Sequence, residues 1–175
     1  MKKAWSLAIL FVAACVQPDN ASNSGGSSPL DGAWKLVASE AVSPNGERFP
    51  GHSQESFLLF AGDYYSMNWA TGTSSAPFSR EPLRPNDAEK VARYNTLIVN
   101  AGRFDVSGGV LTIHPDFALV PEYVGGLGEF DYVLSGDMLD LEWHTIESAD
   151  GTPDPNTAIG VRFHYKFVRR QAGAP

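Results

Sequence analysis

Residues 108–143 read GGVLTIHPDFALVPEYVGGLGEFDYVLSGDMLDLEW, and this stretch decides the fold. Apolar side chains recur at every second position in short runs at 110–114, 129–134 and 138–144. Such alternation is typical of a β-strand that buries one face. A Pro-containing connection separates the first two runs, and a Ser-Gly-Asp turn separates the last two. The stretch therefore predicts a strand, a crossing segment and a β-hairpin.

The same alternation continues on both sides of this stretch. Upstream, we predict strands at 30–41, 56–61, 64–69 and 103–106, and downstream at 160–169. Each of these strands has one apolar and one polar face, which fits a single sheet closed on an apolar interior. The sequence therefore predicts an all-β fold, an antiparallel barrel of roughly eight strands.

One helix is predicted, in the middle of the chain. Asn86 or Asp87 caps its start, and Glu89 completes an approximate capping box with Asn86. Ala101-Gly102 is expected to end it. One helical face would hold Val91, Tyr94, Asn95 and Ile98.

The first fifteen residues form a separate segment. Lys2 and Lys3 precede an apolar run, residues 4–14, that is too short to span a bilayer and is typical of a secretory signal. Two alanines then precede Cys15, the single cysteine. This arrangement resembles a bacterial lipoprotein signal, which implies cleavage before Cys15 and acylation of its sulfur and amino group. An ordinary signal peptide with a cysteine near the cleavage site is the alternative.

The chain after this signal divides into three parts. We expect residues 15–29, which are rich in Ser, Asn and Gly, to be a flexible tether, residues 30–170 to form one domain, and residues 171–175 to be a tail. By analogy with Gram-negative sorting, the absence of Asp after Cys15 implies the outer membrane, on its periplasmic side. The net charge of −7 makes nucleic acid a poor partner.

Short motifs in a fixed order carry a family resemblance. Gly32-Ala33-Trp34 is similar to the Gly-x-Trp signature of lipocalins. An Asn-Ala-Gly motif, a strand ending in His, Pro-x-x-Val-Gly and Gly-Asp-x-Leu follow at 100–102, 110–114, 121–125 and 136–139. In this order they resemble the short bacterial and fungal lipocalin-like proteins. The resemblance implies a lipocalin-like barrel over residues 30–170, with Trp34 plugging one end and Arg169 or Arg170 packed over it.

The chain also departs from classical lipocalins. A single cysteine permits no internal disulfide, Phe130-Asp131-Tyr132 only approximates the Thr-Asp-Tyr motif, and the helix precedes the later strands. The resemblance implies ligand binding for most relatives and cyclase or isomerase activity for some.

Inward-facing residues predict where a ligand would bind. The predicted ligand-binding residues are Tyr65, Met67, His114, Tyr132, Trp143 and Tyr165. The aromatic ones either form a cup with a few polar tips or simply fill the core. His114, which the family pattern also contains, would lie at the barrel rim and contact the ligand, or hold the following connection in place.

Histidines on three strands share the alternation of polar residues. His114, His144 and His164 either lie on a solvated outer face or, with Glu142, line a wet cavity as a metal or acid–base site. Their spacing matches no metal motif, and no hydrolase, phosphate-loop or dinucleotide motif occurs in the sequence. We therefore expect no catalytic residue, metal or cofactor.

These observations favour binding over catalysis. The first hypothesis is an envelope protein, lipid-anchored through Cys15, whose barrel binds a small apolar or amphipathic molecule. An isomerase or cyclase on the same barrel and a closed structural module of the envelope are the alternatives.

Overall fold

The computed structural model describes residues 28–51, 56–71, 77–78 and 83–171. The predicted signal and Cys15 lie outside these residues, as does most of the tether. The strands in the described part are β1 (Gly32–Val42), β2 (Arg48–Pro50), β3 (Phe57–Ala61), β4 (Tyr64–Ala70), β5 (Leu97–Ser107), β6 (Val110–Ala118), β7 (Leu127–Ser135), β8 (Met138–Glu147) and β9 (Arg162–Arg169).

The strands form one antiparallel sheet that closes on itself. From β3 to β9 each strand pairs with the next, and β9 returns to pair with β1. The opposite edge of β1 pairs with β3 near its start and with the short β2 near its end. β1 and β3–β9 therefore make an eight-stranded barrel, and β2 is an added strip. The predicted antiparallel barrel is confirmed.

The two ends of the barrel differ in their connections. At one end, two-residue turns containing Gly62, Gly108 or Gly136 join β3 to β4, β5 to β6 and β7 to β8. These glycines have positive φ angles, as tight hairpin turns require. Long connections lie at the other end, at 119–126, at 148–161 and between β4 and β5, where residues 77–78 and 83–96 are described. We call these the closed end and the open end.

The interior is apolar. The buried side chains alternate along the strands, as the sequence pattern predicts, and together form one cluster inside the barrel. Its largest fully buried members are Trp34, Phe60, Trp69, Phe130 and Phe167. The apolar faces of the strands thus line the inside, and the polar faces meet solvent.

A β-bulge in β1 changes which residues face inward. Val37 is an extra residue, and beyond it Ala38 pairs with Lys166. Ala38 therefore faces outward and Ser39 faces inward. Strict alternation predicts Ala38 on the inward face with Trp34, and that prediction is wrong because the bulge shifts the alternation by one residue.

The mid-chain helix, α1 (Asp87–Tyr94), begins where the sequence predicts. The Asn86 side chain accepts from the Glu89 N–H at 3.0 Å, and the Glu89 carboxylate accepts from the Asn86 N–H at 2.9 Å. The predicted end at 101–102 is wrong, because residues 97–103 pair with β4 as part of β5. Sheet pairing and a β-branched pair, Ile98-Val99, override the helical spacing there.

Two shorter elements complete the open end. A 3-10 turn, η1 (Pro121–Tyr123), lies between β6 and β7, and a helix, α2 (Pro155–Ala158), lies in the polar segment before β9. Among the described residues, no helix has the length and apolar character to cross a membrane.

Candidate functional site

The closed end is sealed by one arginine over one tryptophan. The Arg169 guanidinium carbon lies 4.1 Å from the centre of the Trp34 ring. The same guanidinium donates to the Pro29 carbonyl at 2.8 Å and to the Asp31 carbonyl. Of the two arginines that the family resemblance implies, Arg169 is the one that the structure places over Trp34.

Gly32 makes this approach possible. Its φ is 127°, a conformation that L side chains rarely adopt, and an added Cβ would lie 3.1 Å from an Arg169 guanidinium nitrogen. The glycine of the Gly-x-Trp motif therefore has a steric role as well as a conformational one.

The open end contains a cavity of about 250 Å³. Its wall comes from the open-end halves of β5 to β9, together with η1 and α2, and most of the wall is apolar. Prominent apolar side chains in the wall are Ile98, Ile113, Leu127, Trp143, Ile146 and Phe163. A concave, mostly apolar chamber with a few polar groups is the usual form of a small-molecule site.

Packed aromatic rings underlie this cavity. Trp143, in the cavity wall, stacks on Phe130 with ring centres 4.8 Å apart. Trp69 packs edge-on against Trp143, with ring centres 6.0 Å apart, and in a tilted arrangement against Tyr165 at 4.3 Å. Below this layer the barrel is filled by side chains, so a ligand has room only towards the open end.

Gly128 fixes the position of the Trp143 indole. A Cβ at residue 128 would lie 3.0 Å from Trp143 Nε1 and 3.1 Å from Ile113 Cγ1. The indole N–H donates to the Thr145 carbonyl at 2.9 Å, which holds the ring against the glycine. Both contacts make this side of the cavity rigid.

Polar groups in the cavity wall have different roles. Asp154 caps α2 by accepting from the Asn156 and Thr157 N–H groups, and the Tyr123 hydroxyl donates to it at 3.3 Å. Burial and the Asp154 carboxylate raise the pKa of Tyr123. These contacts hold η1 against α2 and leave the Asp154 carboxylate engaged with protein groups.

Asn100 and Tyr165 are the other polar groups facing the cavity that matter for binding. Asn100 is only 8 % exposed, and its Oδ1 has no hydrogen-bond partner in the described part of the chain. Burial raises the pKa of Tyr165 well above its ordinary value, so its hydroxyl stays protonated at neutral pH. Asn100 and Tyr165 therefore offer neutral hydrogen-bonding groups in the wall.

The structure separates the six predicted ligand-binding residues. Trp143 and Tyr165 line the cavity. Tyr65 and Met67 are buried inside the barrel, and Tyr132 packs against the core, so these three lie outside the cavity wall.

His114 lies on the outer face of the barrel. Its Nε2 is 2.9 Å from Asp105 Oδ2, and its side chain is 49 % exposed. It shares the outward face of β6 with Thr112 and is not part of the cavity wall. Its place is that of a surface residue paired across two strands, and the rim contact expected from sequence is not formed.

His144, His164 and Glu142 also face outward. His144 is the extra residue of a bulge in β8 and lies 3.7 Å from Asp131, while His164 lies 3.6 Å from Glu142. Glu142 and His164 border a shallow outer depression of about 460 Å³, where Lys166 also pairs with Asp140 across strands. Because these groups are outside the barrel, the interior acid–base site considered from sequence does not exist. The described residues contain no group of three metal-binding side chains.

The sequence prediction missed most of the cavity wall. Residues 97–100 were expected in a helix, which hid their inward positions on a strand. Gly128 and Phe163 face inward as alternation predicts, yet alternation does not say which end of a barrel stays unfilled.

Several apolar side chains are exposed on the connections at the open end. They are Leu83, Val91, Val124 and Ile159. Leu83 is 92 % exposed and has a positive φ of 65°.

Comparison with known proteins identifies a related family. A sequence model described as a lipocalin-like domain matches residues 31–159, which include β1 to β8. No curated protein matches the chain. A solved chain described as "Structure of EF1p2_mFAP2b bound to DFHBI" is 13% identical, with a TM-score of 0.37; the alignment covers 81% of this chain and 94% of that one.

Proposed function

Because the chain belongs to the lipocalin-like domain family, we propose that it binds a small, largely apolar molecule in the cavity at the open end. The observation that carries this proposal is the 250 Å³ chamber itself, which persists in a barrel otherwise filled with aromatic side chains. Unfilled space lowers stability, since the atoms around it lose packing contacts. A bound ligand would fill that space and restore packing contacts to the atoms around it.

The volume limits the size of the ligand. A cavity of roughly 150 Å³ in a protein core is enough for benzene. By proportion, 250 Å³ holds roughly ten non-hydrogen atoms, the size of a one-ring or two-ring molecule. A long acyl chain would not fit and would extend out of the open end.

The wall chemistry favours a ring. Trp143, Tyr165 and Phe163 present aromatic surfaces, and aromatic pairs gain about 0.5–1.5 kcal/mol beyond the burial of their area. Trp143 is held on both sides, by Gly128 and by the Thr145 carbonyl, so the ring loses little freedom on binding.

We also propose that the protein is anchored through Cys15 to the cell envelope, at the periplasmic side of a bacterial outer membrane according to the sorting analogy above. The basic start, the short apolar run and the single cysteine support this proposal. An anchored barrel would capture an apolar molecule close to the membrane in which such molecules dissolve.

A binding experiment tests the cavity. The chain from residue 16 onward retains every described residue, and calorimetry should detect saturable binding of members of a panel of one- and two-ring molecules. Ala118→Leu places added carbon atoms inside the cavity, because Ala118 faces inward opposite Asn100. We expect it to weaken binding at least tenfold, about 1.4 kcal/mol.

Ala101→Leu is the matched control. Ala101 pairs with Phe117 on the outer side of the same pair of strands, so the same substitution there leaves the cavity unchanged. If no member of the panel binds, or if Ala118→Leu and Ala101→Leu bind equally well, the proposal fails.

A further inference from the structure

A single amide stands on the inner face of β5 among apolar neighbours. Asn100 lies between inward-facing Ile98 and Gly102 and pairs with Met67 on β4. Its Nδ2 donates only to the Met67 sulfur, at 3.8 Å, which is a weak acceptor. Its Oδ1 is buried without a partner among the described residues.

This arrangement lowers the stability of the empty barrel. A buried carbonyl oxygen loses its hydrogen bond to water and here gains none in return. Leucine has nearly the same shape and would suit the apolar surroundings. Buried polar groups without partners are uncommon in folded proteins, and each calls for a physical explanation.

The position of Asn100 supplies such an explanation. Asn100 is part of the cavity wall. It lies on the same strand as Ile98 and opposite inward-facing Ala118. A ligand in the cavity therefore lies beside Asn100, whose amide oxygen is inaccessible to water in the empty barrel. Once the side chain turns this oxygen towards the ligand, a donor on the ligand would bind it without displacing any protein hydrogen bond of the oxygen.

We propose that Asn100 Oδ1 accepts a hydrogen bond from the ligand, and that the ligand is a small ring compound with one hydroxyl or ring N–H. An amide oxygen is an acceptor only, so it selects a donor and gives no advantage to a ligand that has only an acceptor. This inference rests on the proposed function, because it assigns the ligand class of the same cavity. Neutral charge in the wall near Asn100 also disfavours an ionised ligand group at that depth.

Three probes of one size test the inference. Indole carries a ring N–H, benzofuran has an oxygen in its place, and indene has neither. Calorimetry on the chain from residue 16 onward should give a dissociation constant for indole about tenfold lower than for the other two, as expected for one additional hydrogen bond in a dry site. Similar affinity for all three would overturn the inference and leave the proposed function standing. Binding of none would instead count against the proposed function.

Asn100→Leu provides a second readout. It should abolish the preference for indole while raising the midpoint of thermal unfolding, since it removes a buried group without a partner. Asn68→Leu is the control, because Asn68 is exposed on the outer face of β4. If Asn100→Leu lowers the unfolding midpoint and keeps the indole preference, Asn100 has a structural role and the inference is wrong. The comparison of the three probes on the unsubstituted chain needs no variant to fold.

Discussion

Arg169→Met should lower the free energy of unfolding by about 2–4 kcal/mol, because one guanidinium makes several contacts that seal the closed end. It stacks on Trp34, donates to the carbonyls of Pro29 and Asp31, and lies 3.3 Å from an Asp137 carboxylate oxygen. Methionine keeps much of the apolar contact with the indole ring. The substitution therefore removes the charge and the hydrogen bonds and leaves most of the packing in place.

The size of the effect follows from how exposed each contact is. A cation over an aromatic ring contributes about 0.5–2 kcal/mol, and the Arg169 side chain is 25 % exposed, which favours the middle of that range. Each hydrogen bond to a carbonyl adds about 1 kcal/mol at this exposure. The ion pair with Asp137, which is largely exposed, adds close to nothing.

Urea denaturation is the assay, because it leaves ionic strength unchanged while the midpoint and the slope are measured. The free energy of unfolding of Arg169→Lys should lie between those of the unsubstituted chain and Arg169→Met. Lysine keeps the charge but cannot bridge two carbonyls in a fixed plane. Arg170→Met is the control, because Arg170 is exposed and its backbone N–H makes the bond to Ala33. If Arg169→Met and Arg170→Met differ by less than about 0.5 kcal/mol, the reasoning about this contact is refuted.

Two further predictions concern the anchor and the buried tyrosines. In a bacterial host, the full chain should incorporate labelled palmitate and sediment with membranes, and Cys15→Ser should do neither; an unlabelled, soluble wild-type protein would contradict the anchor. Burial raises the pKa values of Tyr65 and Tyr165, and the Asp116 carboxylate adds to the effect on Tyr65. The folded barrel therefore keeps protons on these hydroxyls that the unfolded chain releases above about pH 10. Stability should therefore fall as pH rises past that value, and Tyr65→Phe should reduce the slope in alkaline urea titrations; an unchanged slope would contradict the burial argument.

The strands and their faces could be predicted from sequence because their signals are local. A period of two identifies a half-buried strand, and glycine turns mark where it reverses. The contact between Trp34 and the last strand has no local signal, since the two residues are distant in the chain. Only the family resemblance pointed to it.

Residues 97–102 could not be assigned from local signals. Val91, Tyr94, Asn95 and Ile98 have helical spacing, yet β4 presents a free edge that pairs with Leu97 onward. Pairing between strands stabilises this segment through residues that are distant in the chain. That stabilisation outweighs the local preference for one further helical turn. The predicted helix hid the inward position of Asn100. An asparagine on a surface helix is ordinary, whereas an asparagine on an inner barrel face is a candidate binding residue.

Bulges also cannot be predicted from the alternation of apolar and polar residues. An extra residue at Val37 and at His144 shifts the alternation without changing composition. At His144 the bulge leaves the Trp143 indole inside and returns Ile146 to the inner face. Strict alternation already places Trp143 inside, so the side chain that the bulge adds to the cavity wall is Ile146.

Stability and binding are assigned to opposite ends of this barrel, and that division makes the cavity informative. Tight turns and the Trp34–Arg169 contact close one end, and the Trp69 layer fills the middle, so the fold does not need empty space at the open end. Filling that space with Ala118→Leu should raise stability and remove binding, whereas changes at Arg169 should alter stability alone. A void required by the fold would behave differently, because filling it would strain the neighbouring strands and lower stability. Opposite changes in stability and binding at Ala118 would therefore mark the cavity as a binding site.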